Sequence, residues 1–119
     1  METRGELIYS YGVAAKKLSL AQMCRVLSEN PAKLYGLYPH KGVLAPGSDA
    51  DIVIYDPGDS HVIRAEDCVA NVDYNPYEGF VTAGGIRSVW LRGRKVVEHG
   101  TVLEDAPTGM YLSRGKCDL

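Results

Sequence analysis

Gly47-Ser48-Asp49-Ala50-Asp51-Ile52-Val53-Ile54-Tyr55-Asp56-Pro57-Gly58 is the stretch that decides how the chain folds. Ile52 to Tyr55 is a short apolar run rich in β-branched residues, with Pro46-Gly47 before it and Asp56-Pro57-Gly58 after it. Such a run between turn formers reads as a strand, and because it is continuous rather than alternating it predicts a strand covered on both faces. Asp49 and Asp51 could be taken for an acid pair. Their places, one in the turn after Gly47-Ser48 and one at the strand mouth, favour turn capping and a solvated strand end instead.

Downstream of this strand the pattern stays β-like. His61 to Arg64 reads as a further strand, with Ala65-Glu66-Asp67 turning away from it. Val89-Trp90-Leu91 and Lys95-Val96-Val97 flank Arg92-Gly93, which predicts a hairpin with a tight turn of positive φ. Gly100 ends that pair, and Thr101 to Leu103 can pair again. Together these make a small antiparallel or mixed sheet. The stretch Asn71-Val-Asp-Tyr-Asn-Pro-Tyr-Glu-Gly79 is a polar-aromatic loop, which is expected to be packed against another element or functional.

Upstream the signals are helical. Leu7 to Lys17 is apolar and closed by two lysines, which favour a helix C-terminus, although Gly12 interrupts it. Ser19 stands three residues before Gln22, as in a capping box, and Leu20, Met23, Cys24 and Leu27 repeat at i, i+3, i+4 and i+7. Asn30-Pro31 reads as a cap with a first-turn proline, opening a third short helix that Gly36 ends. The fold class is therefore α+β, N-terminal helices followed by a small β-sheet. The divisions are a helical segment 1–37, a sheet segment 38–105 and a tail 106–119.

The chain has 119 residues, with 13 basic against 15 acidic side chains and 45% hydrophobic residues. That length is too short for a (β/α)8 barrel, which needs roughly 200 residues or more, but it suffices for a core of its own. A net charge of −2 offers no basic field to nucleic acid or to an anionic membrane. Met1-Glu2-Thr3-Arg4 opens no apolar signal segment, and no run approaches the length of a membrane span. Cys24, Cys68 and Cys117 are scattered and odd in number, so they read as reduced thiols of a cytoplasmic protein.

Candidate chemistry is sparse. His40, His61 and His99 are isolated, with no HxH or HExxH spacing, and each reads as a surface or turn residue. Cys24 falls on the apolar helix face and reads as a buried, inert thiol; Cys117 near the chain end reads as exposed. Gly84-Gly85 lacks a phosphate-loop pattern and reads as a turn. Asp73 and Glu78 read as hydrogen-bonding the backbone within the Asn71 loop. No catalytic, cofactor-binding or metal-ligating residue is assigned.

Three stretches carry a family resemblance. Gly47 to Ile54 followed by Asp56-Pro57 resembles the signature that enters the small β-sandwich of the amidohydrolase superfamily. Asn30-Pro-Ala-Lys-Leu-Tyr-Gly-Leu-Tyr-Pro-His-Lys-Gly42 and Asn71 to Gly79 are similar to the D-hydantoinase and dihydropyrimidinase branch, including its non-catalytic collapsin-response-mediator relatives. Arg92-Gly93 to Gly100 and Gly109-Met-Tyr-Leu-Ser-Arg114 extend the match toward the end of the chain. The resemblance implies the C-terminal portion of such a protein, with part of its composite sandwich and no complete barrel.

Full-length members of that branch are cyclic-amide hydrolases. Their binuclear zinc centre is bridged by a carboxylated lysine and held by an HxH pair, two more histidines and an aspartate. The resemblance places all of these ligands upstream, so no site role carries over to any residue of this chain and no cofactor is expected in it. Ile52, Val53, Ile54, Val89 and Leu91 would then lack their cover, which leads to an expected homo-oligomer or an association with a barrel-containing polypeptide. The function implied is that of a catalytically incomplete piece with a structural or assembly role. The alternative is one subunit of a split metal-dependent cyclic-amide hydrolase.

Overall fold

The computed structural model describes residues 3–70, 72–103 and 109–117. Asn71, at the head of the predicted loop, and the 105/106 division lie outside the described residues. Helices come first and an antiparallel sheet follows, as the α+β reading expects.

Helix α1 (Arg4–Ile8) continues into a π-helical segment, Tyr9–Ala14. Lys16, with φ of 58°, ends it. Helix α2 (Leu20–Cys24) begins on the predicted capping box: the Gln22 N–H donates to Ser19 Oγ at 3.2 Å, and the Ser19 N–H donates to Gln22 Oε1 at 2.8 Å. Ser19→Ala is expected to cost about 1 kcal/mol, seen as a lower thermal midpoint and weaker helical circular dichroism.

Asn30-Pro31 does not open a new helix, contrary to the sequence reading. The chain runs without a break from α2 through a π-helical segment, Arg25–Glu29, into α3 (Asn30–Leu34). Asn30 is itself helical, and its N–H reaches back five residues to the Arg25 carbonyl. Widening the helix just ahead of Pro31 gives room for a ring that has no N–H to donate. The helix ends as predicted at Gly36, with φ of 66°. There the Gly36 N–H donates to the Lys33 carbonyl and the Leu37 N–H to that of Ala32, a Schellman closure.

The sheet has four strands in the order β1-β2-β3-β4: β1 (Ile52–Asp56), β2 (Gly85–Leu91), β3 (Arg94–Glu98) and β4 (Thr101–Val102). All neighbours are antiparallel. Arg92 and Gly93, with φ of 48° and 78°, make the predicted hairpin turn, and His99-Gly100 repeats it with 44° and 76°. Asp56 stops β1 by accepting the Gly58 N–H on its side chain at 2.8 Å. The predicted strand at His61–Arg64 is reduced to a single bridge, Val62 to Val81, followed by the short 3-10 turn Ala65–Asp67.

Two expectations fail for one physical reason. β1 is not covered on both faces: it is an edge strand, and Val53 and Ile54 are 58% and 43% exposed. The chain also does not enclose a core of ordinary size, since Ala32 and Ile63 are the only buried hydrophobic residues of its core among those described. Its accessible surface is 8458 Å², against about 6,300 Å² for a compact monomer of this mass. Its radius of gyration is 15.2 Å, against about 13.5 Å. Apolar patterning predicts burial only when the chain supplies something to be buried against, and here two helices and a four-strand sheet meet along a narrow junction.

Candidate functional site

That junction holds the densest set of polar contacts, and α1 builds most of it. Glu6, Ser10 and Tyr11 lie close together on the helical segment. Ser10 Oγ donates to the Glu6 carbonyl at 2.7 Å and accepts the Ala83 N–H at 2.8 Å. Glu6 Oε1 accepts the Ile86 N–H at 3.3 Å, Glu6 Oε2 lies 3.6 Å from His61 Nε2, and the Tyr11 hydroxyl donates to the Val81 carbonyl. The Tyr9 ring packs on Tyr55 with centroids 4.5 Å apart, and the Tyr55 hydroxyl donates to the Gly84 carbonyl. Burial, then the Glu6 carboxylate, pushes the Tyr55 phenol well above its ordinary range, so it is a fixed donor.

Glu6, His61 and Thr82 are an acid, an imidazole and a hydroxyl in series, which invites a nucleophile reading. The geometry answers it. Thr82 is 1% exposed, and Thr82 Oγ1 lies among the His61 N–H at 3.1 Å, the His61 carbonyl and His61 Nδ1. A hydroxyl enclosed by main chain has no path to a substrate, so the series fastens the helix to the sheet. The sequence reading took His61 for a plain surface or turn residue; it stands half exposed in this junction. Glu6 and Ser10 were missed, and their i, i+4 spacing on an otherwise apolar segment was the available signal.

In the second polar cluster Asp51 caps the distant β2–β3 turn and not its own, and Asp49 pairs with Lys41, so neither is the local turn cap and solvated strand end that the sequence reading expects. Lys41 Nζ sits 2.8 Å from Asp49 Oδ2 and also pairs with Asp51. Asp51 Oδ1 accepts the Arg92 N–H at 2.8 Å, and the Gly93 N–H donates to the Ala50 carbonyl. Partial burial would raise the Asp51 carboxyl, but Lys41 and the Arg92 N–H outweigh it and hold the group below its ordinary value. Burial likewise opposes the Lys41 charge, and the two aspartates outweigh it. The carboxylate ties the loop before β1 to the β2–β3 turn.

The remaining candidates fall apart in space. His40 and His99 are exposed, the latter in the β3–β4 turn. Cys24 is exposed, not buried, whereas Met23 and Leu27 of the same apolar repeat are half-buried. Cys68 is half-buried and accepts a hydrogen bond from Asn75 Nδ2, and Cys117 is exposed. Glu78 does bond backbone, but outside its loop: Glu78 Oε2 accepts the Ala65 N–H at 2.6 Å. Asp73 is exposed.

Gly84-Gly85 is not a simple turn. Gly85 opens β2 opposite Asp56, and a Cβ on Gly84 would stand 2.7 Å from the Asp56 carbonyl oxygen, so two backbones pass too close for a side chain.

Among the described residues no group of three or more His, Cys, Asp or Glu could hold a metal ion. Lys33, Lys41 and Lys95 each face a carboxylate neighbour, Glu29, Asp49 with Asp51, and Glu98 respectively. A binuclear centre bridged by a modified lysine does not fit these donors, and no catalytic step is derived through one.

What the fold does present is apolar surface. Along α2–α3 an open groove of about 490 Å³ is lined by Val26, Leu27, Pro31, Leu34 and Tyr35, with the polar Arg4 and Asn30 among them. Val26 and Tyr35 are 53% and 59% exposed there, and Leu20 lies open on α2. No helix among the described residues is long and apolar enough to cross a membrane.

The sequence pattern of the amidohydrolase family matches residues 1–96. A D-phenylhydantoinase of Escherichia coli O1:K1 / APEC is 41% identical over 114 residues, covering 96% of this chain and 25% of that protein. The D-hydantoinase (dihydropyrimidinase) from Thermus sp. superposes with a TM-score of 0.83 at 40% identity, covering 86% of this chain and 22% of the other. The D-hydantoinase from Bacillus sp. AR9 gives 0.81 at 43% identity, covering 84% and 22%. The chain thus spans about a quarter of the length of the curated relatives it matches. With four-fifths of its residues under the family pattern and its helix-and-sheet arrangement superposing on the hydantoinases, the chain belongs to the amidohydrolase family as a hydantoinase-like piece.

Proposed function

We propose that this chain is a structural piece of a hydantoinase-like amidohydrolase, which gives assembly and not chemistry. The observation that carries the reading is the uncovered α2–α3 groove on a chain whose surface exceeds that of a compact protein by about 2,100 Å². An excess of that size is what an obligate interface removes from water. The occupant we assign to the groove is a barrel-carrying polypeptide of the same family. Support comes from the relatives, in which the matched quarter is joined to three further quarters of chain. A binuclear metal centre and the ring opening of a cyclic amide would reside in that partner.

The test is elemental analysis of the purified chain together with hydantoin and dihydrouracil ring-opening assays. These are run on the chain alone and on the chain mixed with a hydantoinase lacking its matching quarter. The expected result is no stoichiometric metal and no turnover alone, with a stable complex in the mixture. Turnover by the chain alone would overturn the reading. Metal and turnover in the mixture alone would favour the split-hydrolase alternative, which the identity of 41% across nearly the whole chain supports.

A further inference from the structure

The tail, residues 109–117, is exposed along its whole length, yet it is fastened at one point. The Gly115 N–H donates to the Gly36 carbonyl at 2.7 Å, and no other main-chain hydrogen bond holds the tail among the described residues. The approach is close. A Cβ on Gly36 would stand 2.3 Å from the Gly115 carbonyl oxygen, 2.6 Å from its carbonyl carbon and 3.0 Å from its nitrogen. The Gly115 backbone therefore occupies the space that any side chain at position 36 would take.

The place of the contact gives it a consequence. Gly36 closes α3, and the last carbonyls of a helix lack donors of their own and carry its negative end. Leu37 and Tyr38 both donate their N–H back to the Ala32 carbonyl, and the Lys41 N–H donates to that of Leu37. Gly36 thus heads the loop whose Lys41 pairs with Asp49 and Asp51. Its carbonyl takes a donor from the tail, where Arg114 and Lys116 flank Gly115 in sequence and bring two cations toward the helix end.

We infer that residues 109–117 are a releasable strap: Gly115 clasps Gly36, and release of the clasp loosens the end of α3 and the Lys41 loop while the sheet stays folded. One main-chain hydrogen bond holds a segment in which Met110 and Tyr111 remain 62% and 90% exposed, so the strap has little buried surface to keep it down. Few buried contacts and an exposed backbone mark the segments that open locally, without global unfolding. The clasp is selective because glycine at position 36 leaves room for the crossing backbone. Its release reaches the helix because it uncovers a helix-end carbonyl.

Amide hydrogen exchange on the full chain, read residue by residue by NMR, tests the strap. The Gly115 amide is expected to exchange about tenfold slower than in an unfolded chain, whereas Leu112 and Ser113 exchange at their unfolded rates. Gly36→Ala is expected to abolish the Gly115 protection, and Gly47→Ala, with a positive φ but open space, to leave it. Because Gly36→Ala also strains the helix end, Gly115→Pro is the second variant: it removes the N–H and leaves α3 untouched. It is expected to speed exchange at Leu37, Tyr38 and Lys41 about tenfold, with the sheet amides unchanged. An unprotected Gly115 amide in the unmodified chain, protection that survives Gly36→Ala, or a helix end indifferent to Gly115→Pro would each overturn the inference. Sheet amides that lose protection together with Leu37 and Tyr38 in Gly115→Pro would overturn release as a local event. These readouts lie within one chain and are independent of the complex tested above.

Discussion

Asp51→Ala lowers the stability of the fold by about 2 kcal/mol, visible as a fall in the midpoint of denaturant unfolding. The reason is the number of segments that converge on one carboxylate. Its Oδ1 accepts the Arg92 N–H and its Oδ2 pairs with Lys41. Removing the side chain frees the β2–β3 turn from the mouth of β1 and leaves the largely buried Lys41 with Asp49 alone. The carboxylate is partly exposed, so the loss stays below that of a fully buried pair.

The pH dependence follows from the same contacts. Asp51 titrates lower in the folded chain than in the unfolded one, so its contribution is complete above the unfolded value near 3.8 and is lost as pH falls through the lower folded value. Lys41 titrates higher in the folded chain, so its contribution is complete below about 10.5 and fades as pH rises through the raised value. Asp51→Asn keeps an acceptor for Arg92 but no charge. It is expected to flatten the acid limb of the stability profile while costing less at neutral pH than the alanine variant. An acid limb unchanged in Asp51→Asn would show that other carboxylates set it.

Gly42→Ala is expected to be the more damaging substitution, at about 2–4 kcal/mol. Gly42 has φ of 86°, where a side chain is strained whatever the space. A Cβ there would also stand 2.5 Å from Ala32 Cβ and 2.8 Å from the Ser28 carbonyl oxygen. Ala32 is one of the two buried hydrophobic core residues among those described, so the loop after the helices has no slack against α3. Hydrogen exchange would localise the effect: amides of Lys41 and Asp49 should lose protection together, because that loop holds the Lys41 pairs. Gly47→Ala is the control. Gly47 has a similar φ of 91° but nothing within 4 Å of the added carbon, so it carries only the backbone strain. Equal losses for the two variants would show that the close approach to α3 does not matter.

Much of the fold was legible in local chemistry. The Ser19–Gln22 box, the Gly36 helix stop, the Asp56-Pro57-Gly58 strand stop and the Arg92-Gly93 hairpin all stand where the sequence places them. Each is decided within a few residues by φ preferences or by a side chain bonding its own neighbourhood. What Asp49 and Asp51 hold was not legible in the same way, because the Arg92 N–H that Asp51 accepts and the Lys41 that both aspartates pair with lie 41 and about ten residues away. The absence of an assigned catalytic constellation in the sequence reading rested on spacing, on the turn positions of the aspartates and on the family resemblance.

The failures share a different scale. Asn30-Pro31 reads as a helix start because both residues suit one, yet the turn ahead of it widens and the helix runs through. Gly84-Gly85 reads as a turn because glycine pairs usually are, but its cause is the Asp56 backbone crossing within 2.7 Å of where a side chain would begin. Val53, Ile54 and Cys24 read as buried because they are apolar, and all three stand exposed.

By itself, then, the sequence determined the α+β class, the Ser19–Gln22 helix start, the Gly36 helix stop, the Ile52 strand, the Arg92-Gly93 hairpin and the family, all written in local conformational preference and in motifs. Only the tertiary structure decided which apolar faces are covered. Burial depends on what lies across from a face, and in this chain the helical groove and the β1 edge have nothing across from them among the described residues.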